Sequence, residues 1–399
     1  MNQHTYLKSC AYALLSLSIS SAFSGSLTTS GQGSRAISLG GAFTAVADDG
    51  SAIYYNPAGI SQIAGTEIML GVAQGKPDIS YQSATGAKEK STKDWLGYWF
   101  FATRQFNDQL CGGIGIYSPY ARDAEFDADL ANFFAAQKSS IYRVDISPVM
   151  SFKLNPHYSL AGGFVFGYSE VDQSIPTGPT SRIKDSMNGW GFGGIVSLLF
   201  TSKDNFKFGV TYRSRMKTDY SGERQLQILT TTTKSNATAT GKWPASAALG
   251  IAWKATNQLN LSLDADWTEW SYVDKVITKT ATLGDSTTNL DQRDTWDFRI
   301  GGEWSFRPNW NARAGISHIV HSMPSAWITP SKPDASGNGY DFGIGKKWKD
   351  WTVDFVYEYA TTDTVSATDN AYGFTGDYQI KQHSIAITAR YRPQGHTKH

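Results

Sequence analysis

The sequence predicts an all-β protein, a 14-stranded antiparallel transmembrane β-barrel with an N-terminal hatch, or plug, inside its lumen. Three observations predict it. Many short segments alternate apolar with polar side chains, long connections alternate with short ones, and a glycine-rich segment without this alternation comes first. The composition agrees, because 20 Tyr, 20 Phe, 13 Trp and 38 Gly suit strands that face lipid on one side and water on the other.

The first 22 residues predict a signal peptide. Lys8 supplies positive charge, residues 10–23 form a short apolar run, and Ser20, Ser21 and Ala22 offer small side chains for cleavage. A spanning helix needs about 20 predominantly apolar residues, and this serine-rich run is shorter. Cleavage would leave Cys111 as the single cysteine, so we expect no intrachain disulfide.

Residues 23–65 predict the hatch. Gly40 and Gly41 permit close backbone approach or positive φ, and Asp48 can accept hydrogen bonds from neighbouring amides in a turn. Proline at position 57 favours an extended conformation at the preceding residue. The segment has neither the alternation of a strand nor a long apolar helical stripe, and we therefore expect a compact plug.

The run GGAFTAVADDGSAIYYNPAG at residues 40–59 resembles the N-terminal hatch of the FadL family, bacterial outer-membrane transporters of long-chain fatty acids and hydrocarbons. The resemblance implies the Gram-negative outer membrane, contact with outer-membrane lipid and lipopolysaccharide, and insertion by the barrel assembly machinery. It also implies that Asn56, Pro57 and Ala58 fix the turn that gates the internal pocket. The alternative is that they only help the plug to fold.

Residues 66–391 predict the barrel. In one strand Trp351, Val353 and Phe355 share a face opposite Thr352 and Asp354. A soluble β-sandwich or β-helix also alternates, but short turns and long outer loops in strict alternation favour a membrane barrel. Residues 392–399 form a tail after the last strand. This tail departs from the FadL pattern, in which an aromatic residue such as Tyr391 lies near the end of the chain as part of the assembly signal.

The sequence carries no pattern for a catalytic, metal or cofactor site. The pair His318 and His321 lacks an accompanying carboxylate or cysteine cluster, and no nucleophile, base and orienting partner mark an outer-membrane phospholipase. The net charge of +1 argues against a nucleic-acid partner. We therefore expect a protein that is not an enzyme.

Charges on the inferred lumen face are nearly balanced, which argues against a strongly ion-selective pore. We expect most of them to pair and hold the plug, while one cation could receive a ligand carboxylate. The inward positions are Arg143, Lys207, Arg213, Arg299, Arg313 and Arg390, against Asp145, Asp264, Asp266, Asp297, Glu303, Asp354 and Glu358.

Residues 121–138 predict an amphipathic helix in an outer loop, because Phe126, Leu130, Phe133 and Phe134 recur at helical spacing. Such a helix could cap the barrel. The resemblance instead implies that Leu130, Phe133 and Phe134 line a surface groove where the ligand first binds.

The resemblance finally implies passive diffusion, in which a fatty acid or another hydrophobic molecule moves from the outer groove to a pocket and leaves sideways when the hatch shifts. A lateral exit needs an interruption in the strand ladder, and Gly112, Gly113 and Gly115 are candidates for the kink. These glycines could equally be small to make room for the plug. A diffusion porin for polar solutes and a structural or adhesive barrel remain the alternative functions.

Overall fold

A computed structural model describes residue 29 and residues 31–126, 138–178 and 180–393. This part of the chain is dominated by antiparallel β-structure. The predicted signal peptide at residues 1–22, and Leu130, Phe133 and Phe134, lie outside the described residues. In chain order the strands are β1 (Thr66–Ser83), β2 (Lys88–Ser91), β3 (Trp95–Gln105), β4 (Leu110–Glu125), β5 (Lys138–Lys153), β6 (Tyr158–Gly178), β7 (Ser181–Thr201), β8 (Phe206–Arg213), β9 (Met216–Ile228), β10 (Thr231–Trp243), β11 (Ser246–Lys254), β12 (Leu259–Thr268), β13 (Lys275–Thr280), β14 (Ser286–Asn289), β15 (Thr295–Arg307), β16 (Trp310–Ile319), β17 (Gly337–Trp348), β18 (Trp351–Thr362), β19 (Val365–Ala367) and β20 (Gly376–Tyr391).

The sheet closes on itself, because β1 pairs with β3 on one side and with the last strand, β20, on the other. Three wall strands are each built from two segments, namely β8 with β9, β10 with β11, and β12 with β13. Within the described residues the wall therefore has the predicted 14 strands. The other eleven are β1, β3, β4, β5, β6, β7, β15, β16, β17, β18 and β20.

The wall has an apolar outer face and a polar inner face. On β15, Phe298 and Ile300 are each 53% exposed, whereas the inward Thr295 and Asp297 are buried. A continuous belt of exposed large apolar side chains is the surface that a bilayer covers. The alternation predicted for this strand is confirmed. None of the helices in the described part of the chain is long and apolar enough to span a membrane.

The connections at one end of the barrel are short, as predicted, for example residues 106–109, 202–205 and 349–350. At the other end two connections predicted to be long are only two residues long, because the strands continue well past the apolar belt. Strands β6 and β7 are separated only by residues 179–180, and β9 and β10 by residues 229–230. The extensions are largely polar, and that of β10 is rich in threonine, which favours strands without needing lipid contact.

The hatch precedes β1 and contains two short helices, α1 (Ser34–Ile37) and α2 (Ala52–Tyr55), followed by a 3-10 helix (Pro57–Gln62). Apolar side chains of this segment such as Phe43, Ile53 and Ile60 are fully buried. Gly40 has a φ of 68°, and a Cβ there would lie 2.8 Å from the carbonyl oxygen of Ile316 on β16. Positive φ and close approach to the wall thus both require glycine at this position.

Candidate functional site

The Asn56-Pro57-Ala58 turn fastens the hatch to the wall. The Asn56 side chain is fully buried and donates from Nδ2 to the carbonyl oxygens of Thr44, at 2.8 Å, and Leu198, at 3.1 Å. Its Oδ1 accepts from the Ala58 amide, which also donates to Ser197 Oγ at 2.9 Å. Proline at position 57 begins the 3-10 helix, where its missing N–H costs nothing. The Ala58 carbonyl accepts from Ser151 Oγ on β5 at 3.1 Å, so the triplet joins two parts of the hatch and two strands of the wall.

Ion pairs hold the hatch at one side of the lumen. Arg35 of the hatch donates to Glu303 at 2.9 and 3.0 Å and also contacts Asp48. Arg313 joins the same Glu303, at 2.5 Å, to Asp354, at 2.8 Å. These side chains come from the hatch and from three separate wall strands. The prediction that lumen charges pair and hold the plug is confirmed for this group.

The C-terminal end of the barrel also contacts the hatch. Arg392, just after β20, donates to the Glu67 carboxylate at 2.6 Å, and Glu67 in turn accepts from the Gly50 amide of the hatch at 2.7 Å. Arg390 lies 3.5 Å from the hatch carboxylate Asp49 and 3.1 Å from Asp354. The first described residue of the predicted tail is therefore part of the hatch attachment.

The ladder between β3 and β4 is incomplete. It runs only from the Phe100 and Ile116 pair down to the Gln105 and Cys111 pair. Above it, within the described residues, β3 pairs with β1 alone. The register between β4 and β5 shifts between Tyr117 and Tyr120. The wall thus has a gap, which we call the wall opening, between residues 95–99 of β3 and residues 117–120 of β4.

The predicted kink glycines lie below this opening and are in continuous register on both sides of β4. The prediction of an interruption at Gly112, Gly113 and Gly115 is therefore wrong in position. A Cβ on Gly113 would lie 2.8 Å from Ile53 Cδ1, and one on Gly115 would lie 3.0 Å from Ile53 Cγ2. These two glycines make room for the hatch. The signal that sequence reasoning missed is Pro119, since proline inside a strand removes a ladder donor.

A short part of the hatch crosses the wall opening. Thr29 donates from its amide to the Pro119 carbonyl and from Oγ1 to the Ser118 carbonyl, both at 3.1 Å. Gln32 donates from Nε2 to the same Ser118 carbonyl at 2.7 Å, and its amide donates to the Tyr55 hydroxyl at 3.0 Å. We call Thr29, Gly31 and Gln32 the strap. It links α2 of the hatch to the irregular part of β4.

The strap separates two cavities. The first, which we call the crevice, has a volume of about 30 Å³ and a largely apolar lining that includes Ile37, Trp95, Trp99 and Val356. The second, which we call the chamber, has a volume of about 110 Å³ and polar walls. Thr29 and Gly31 line both cavities, so displacement of the strap would join them. The chamber is also lined by Thr44, Tyr54, Tyr55, Pro119, Tyr120, Thr211, Arg213, Ser246, Ala247, Ala248, Asp266, Thr268, Asp297 and Arg299.

An apolar cluster covers the outer end of the barrel. Phe126 is buried there with Met323, Ile328, Phe374 and Tyr378. Residues 121–125, which were predicted to begin an amphipathic helix, instead continue β4, because they pair with β5. The helix prediction is wrong for those residues.

The outer cluster adjoins a small group of charges. Asp334 accepts from the amides of Ser322, at 2.9 Å, and Met323, at 2.7 Å, and burial raises the pKa of its carboxyl. Burial, together with the nearby Arg122 guanidinium, lowers the pKa of Lys332 to about 8. Within the described residues no group of His, Cys, Asp and Glu side chains could hold a metal ion.

These features define a class of membrane β-barrel with an apolar belt, whose lumen is filled by its own N-terminal segment. The wall of such a barrel is open at the point where that segment is hydrogen-bonded to it. A family model described as outer membrane protein transport protein (OMPP1/FadL/TodX) matches residues 15–392. The chain belongs to this family, and the resemblance seen in the hatch sequence is confirmed.

Curated relatives and solved structures agree with this assignment. The chain is 24% identical over 382 residues to the long-chain fatty acid transport protein of Salmonella typhi, with 84% of this chain and 86% of the relative covered. It is 23% identical over 394 residues to the protein of that name from Escherichia coli K12, with the same coverage.

Two solved structures share the fold. A FadL homologue of Pseudomonas aeruginosa gives a TM-score of 0.80 at 18% identity, covering 94% of this chain and all of that one. The toluene transporter TodX of P. putida gives 0.77 at 16% identity, covering 92% of this chain and all of that one.

Proposed function

We propose that this protein carries hydrophobic molecules across the outer membrane by facilitated diffusion, with long-chain fatty acids as the first candidate cargo. The observation that carries the proposal is the wall opening, which faces the membrane and is crossed from inside by the strap. The cargo binds first at an outer groove, passes to the pocket inside the barrel, and leaves sideways through the opening when the hatch shifts.

A lateral exit suits a hydrophobic cargo for a simple physical reason. An apolar molecule gains free energy by leaving water, so crossing a water-filled lumen would remove the driving force. The crevice beside the opening has an apolar lining that includes Trp95 and Trp99. The paired lumen charges, in contrast, fasten the hatch to the wall, as in the pairs of Arg35 with Glu303 and of Arg390 with Asp49. This arrangement supports a gated exit over a diffusion porin for polar solutes.

Capture at the outer groove is the first step of the proposal. In this proposal Leu130, Phe133 and Phe134 supply its apolar surface; in the sequence they follow Phe126, which is buried in the outer cluster. Each buried methylene of an acyl chain contributes about 0.8 kcal/mol. No energy source is needed, because the cargo moves down its own gradient.

The gate is the second step. Asn56, Pro57 and Ala58 fix the hatch turn against β7, while the strap holds the hatch against β4. Four hydrogen bonds to the backbone carbonyls of Ser118 and Pro119 fasten Thr29 and Gln32, a number small enough to break and re-form during transport. The names of the curated relatives support fatty acids as the cargo, and those of the solved toluene transporters support a broader hydrophobic class.

Uptake by cells tests this function. We expect deletion of the protein to reduce uptake of labelled oleate, and plasmid-borne protein to restore it, while uptake of a labelled disaccharide is unaffected. A matched strain carrying an unrelated barrel of similar size controls for altered permeability of the membrane. Unchanged oleate uptake together with reduced disaccharide uptake would instead support a porin.

A further inference from the structure

The wall strand formed by β8 and β9 contains a bulge. On β8 the inward side chains fall at odd positions up to Arg213, whereas over residues 216–220 of β9 they fall at even positions. Ser214 accommodates the extra residue, because its amide donates to the Gly194 carbonyl of β7 and its Oγ accepts from the Gly194 amide, both at 2.9 Å. A shift of one residue exchanges the two faces of a strand, so this bulge determines where the next side chains point.

The bulge places Arg215 and Lys217 together on the outer face of the wall. Both residues are exposed, and without the bulge they would continue the inward series that ends at Arg213. Lys217 also lies directly opposite Lys242 of β10 in the antiparallel ladder. Like charges at opposed positions repel each other, so three cations gathered on a small area of the wall favour a bound anion.

Two of these three cations have carboxylate partners. Glu269 accepts from Arg215 Nε at 2.5 Å, and Asp274 accepts from Lys242 Nζ at 2.5 Å. The ring of Tyr272 joins the two pairs, since its centre lies 4.4 Å from the Arg215 guanidinium carbon and 5.3 Å from Lys242 Nζ. The position of Arg215 is therefore fixed from one side by a carboxylate and an aromatic ring.

Lys217 is the cation of this group that has no ion pair within the described part of the chain. The next acidic residue on the same face of β9 is Asp219, which lies two positions farther from the apolar belt and accepts from the Thr240 hydroxyl at 3.1 Å. Arginine has five N–H donors, and Arg215 gives two of them to Glu269. Lys217 and the remaining donors of Arg215 are therefore available to an oxyanion outside the wall.

The two cations line a hollow on the outer face, which we call the rim hollow. It has a volume of about 770 Å³, and Arg215 and Lys217 are its only charged lining residues in the part of the chain that the structure describes. Its apolar side is formed by three exposed aromatic residues, Phe166, Trp190 and Phe192. The rim hollow thus combines positive charge with an apolar wall, as the binding of an anionic amphiphile requires.

The rim hollow lies at the outer edge of the apolar belt. Along β7 the outward side chains are polar at Ser186 and Asn188 and aromatic at Trp190 and Phe192. From there β7 continues to the short connection at residues 202–205, at the opposite end of the barrel. The change from polar to aromatic side chains therefore marks the interface on the side of the long outer connections, at the level of the lipid headgroups.

We propose that the rim hollow binds a phosphorylated glycolipid of the outer leaflet, of the lipid A type, with its phosphate on Arg215 and Lys217. Its acyl chains pack on Phe166 and Phe192. Phosphate matches both cations, because arginine offers paired N–H donors and lysine a compact charge. The bound phosphate also offsets the repulsion between Lys217 and Lys242. This lipid is held on the outer face of the wall and is separate from the cargo, so the inference goes beyond the proposed function.

Native mass spectrometry of the detergent-purified protein tests the site with three lipids. They are bis-phosphorylated lipid A, the same lipid with both phosphates removed, and phosphatidylglycerol. We expect the wild-type protein to bind bis-phosphorylated lipid A about tenfold more tightly than either of the others. This preference should disappear when Arg215→Gln and Lys217→Gln are combined. Lys217→Gln alone breaks no ion pair among the described residues and should weaken lipid A binding by about threefold or more.

The matched control combines Lys184→Gln with Lys234→Gln. These two exposed lysines both lie opposite Gln225 of β9, farther from the apolar belt and outside the rim hollow. The control removes the same charge from the same side of the wall and should keep the preference for bis-phosphorylated lipid A. An equal loss in the control would mean that general surface charge attracts the lipid, and the inference would be wrong.

Three further results would overturn the inference. The first is equal binding of lipid A with and without its phosphates, and the second is a retained preference in the variant that lacks both Arg215 and Lys217. The third is equal binding of phosphatidylglycerol and bis-phosphorylated lipid A, which would show a site for any anionic lipid. None of these measurements depends on oleate uptake, so failure of the inference is distinguishable from failure of the proposed function.

Discussion

Arg313 Nη1 lies 2.8 Å from Asp354 Oδ1, and both side chains are completely buried inside the barrel. Arg313 also donates to Glu303, which is bound in turn by Arg35 of the hatch. A salt bridge at this depth is costly to form, but removing one partner leaves the other charge buried and uncompensated. The hatch is therefore attached through a network in which each member depends on the others.

Arg313→Met tests this dependence. We expect a loss of about 3–5 kcal/mol in the free energy of unfolding, because Asp354 and Glu303 lose a buried partner. Urea unfolding of the refolded barrel, followed by tryptophan fluorescence and gel mobility, measures it. Lys90→Met removes an ion pair to Asp78 whose side chains are 60% and 42% exposed, and should cost at most about 1 kcal/mol. Equal effects of the two changes would contradict the network.

Asn56→Ala tests how the hatch turn is held. The change leaves the carbonyls of Thr44 and Leu198 and the Ala58 amide without the Asn56 side chain. With one or more of these groups left unsatisfied, local opening of the hatch should become easier by about 1–3 kcal/mol. Hydrogen exchange of peptides covering residues 43–62 measures the change.

Asn107→Ala is the control for Asn56→Ala, since Asn107 makes two similar side-chain bonds in an exposed turn far along the chain from the hatch. The increase in hydrogen exchange that Asn107→Ala causes should be confined to that turn. Unchanged protection of residues 43–62 in Asn56→Ala would mean that the triplet neither holds nor gates the hatch.

The wall could be predicted from the sequence because its physical signal is local. Apolar and polar side chains alternate between neighbouring residues, as Trp296, Phe298 and Ile300 do with Asp297. This local pattern determines which face of the strand contacts lipid. The charges that hold the plug could also be assigned to the lumen by the same alternation. Their actual partners could not, because Arg35 and Glu303 are 268 positions apart.

The wall opening was harder to predict for a different reason. Residues 95–99 of β3 alternate in the same way whether they bond to one neighbouring strand or to two. The glycines of β4 suggested the wrong position, because Gly113 and Gly115 are small to accommodate Ile53 of the hatch. The strap consists of polar and small residues whose role comes only from the carbonyls they reach on β4.

Fixing the strap to β4 should stop transport. In a Cys111→Ser background, Gln32→Cys and Ser118→Cys can be joined by a short thiol-specific crosslinker, because the Gln32 side chain reaches the Ser118 backbone. We expect oleate uptake to fall to the level of the deletion strain after crosslinking and to recover when a cleavable linker is cut. Each single cysteine treated with the same reagent is the control. Full uptake with the crosslink in place would show that the strap need not move.

The outer groove makes a separate prediction. Replacing Phe133 and Phe134 together with serine should weaken capture at low oleate concentration, because burial of each phenyl ring contributes about 1.5–3 kcal/mol. Uptake at saturating oleate should change less, since capture is then no longer limiting. Phe106→Ser, at an exposed turn of the opposite end of the barrel, is the control. Unchanged affinity in the double variant would mean that these side chains only cap the barrel.

The outer charges predict a pH dependence. Because burial and Arg122 lower the pKa of Lys332 from 10.5 to about 8, the unfolded chain binds more protons than the folded one between these values. Stability of the outer region should therefore rise as pH increases from about 8 towards 10.5. The rate of Lys332 acylation, measured by mass spectrometry across this range, should rise with pH with a midpoint near pH 8. Arg122→Gln should move that midpoint upwards, because it removes a like charge. A midpoint that stays in place would mean that burial alone sets the pKa of Lys332.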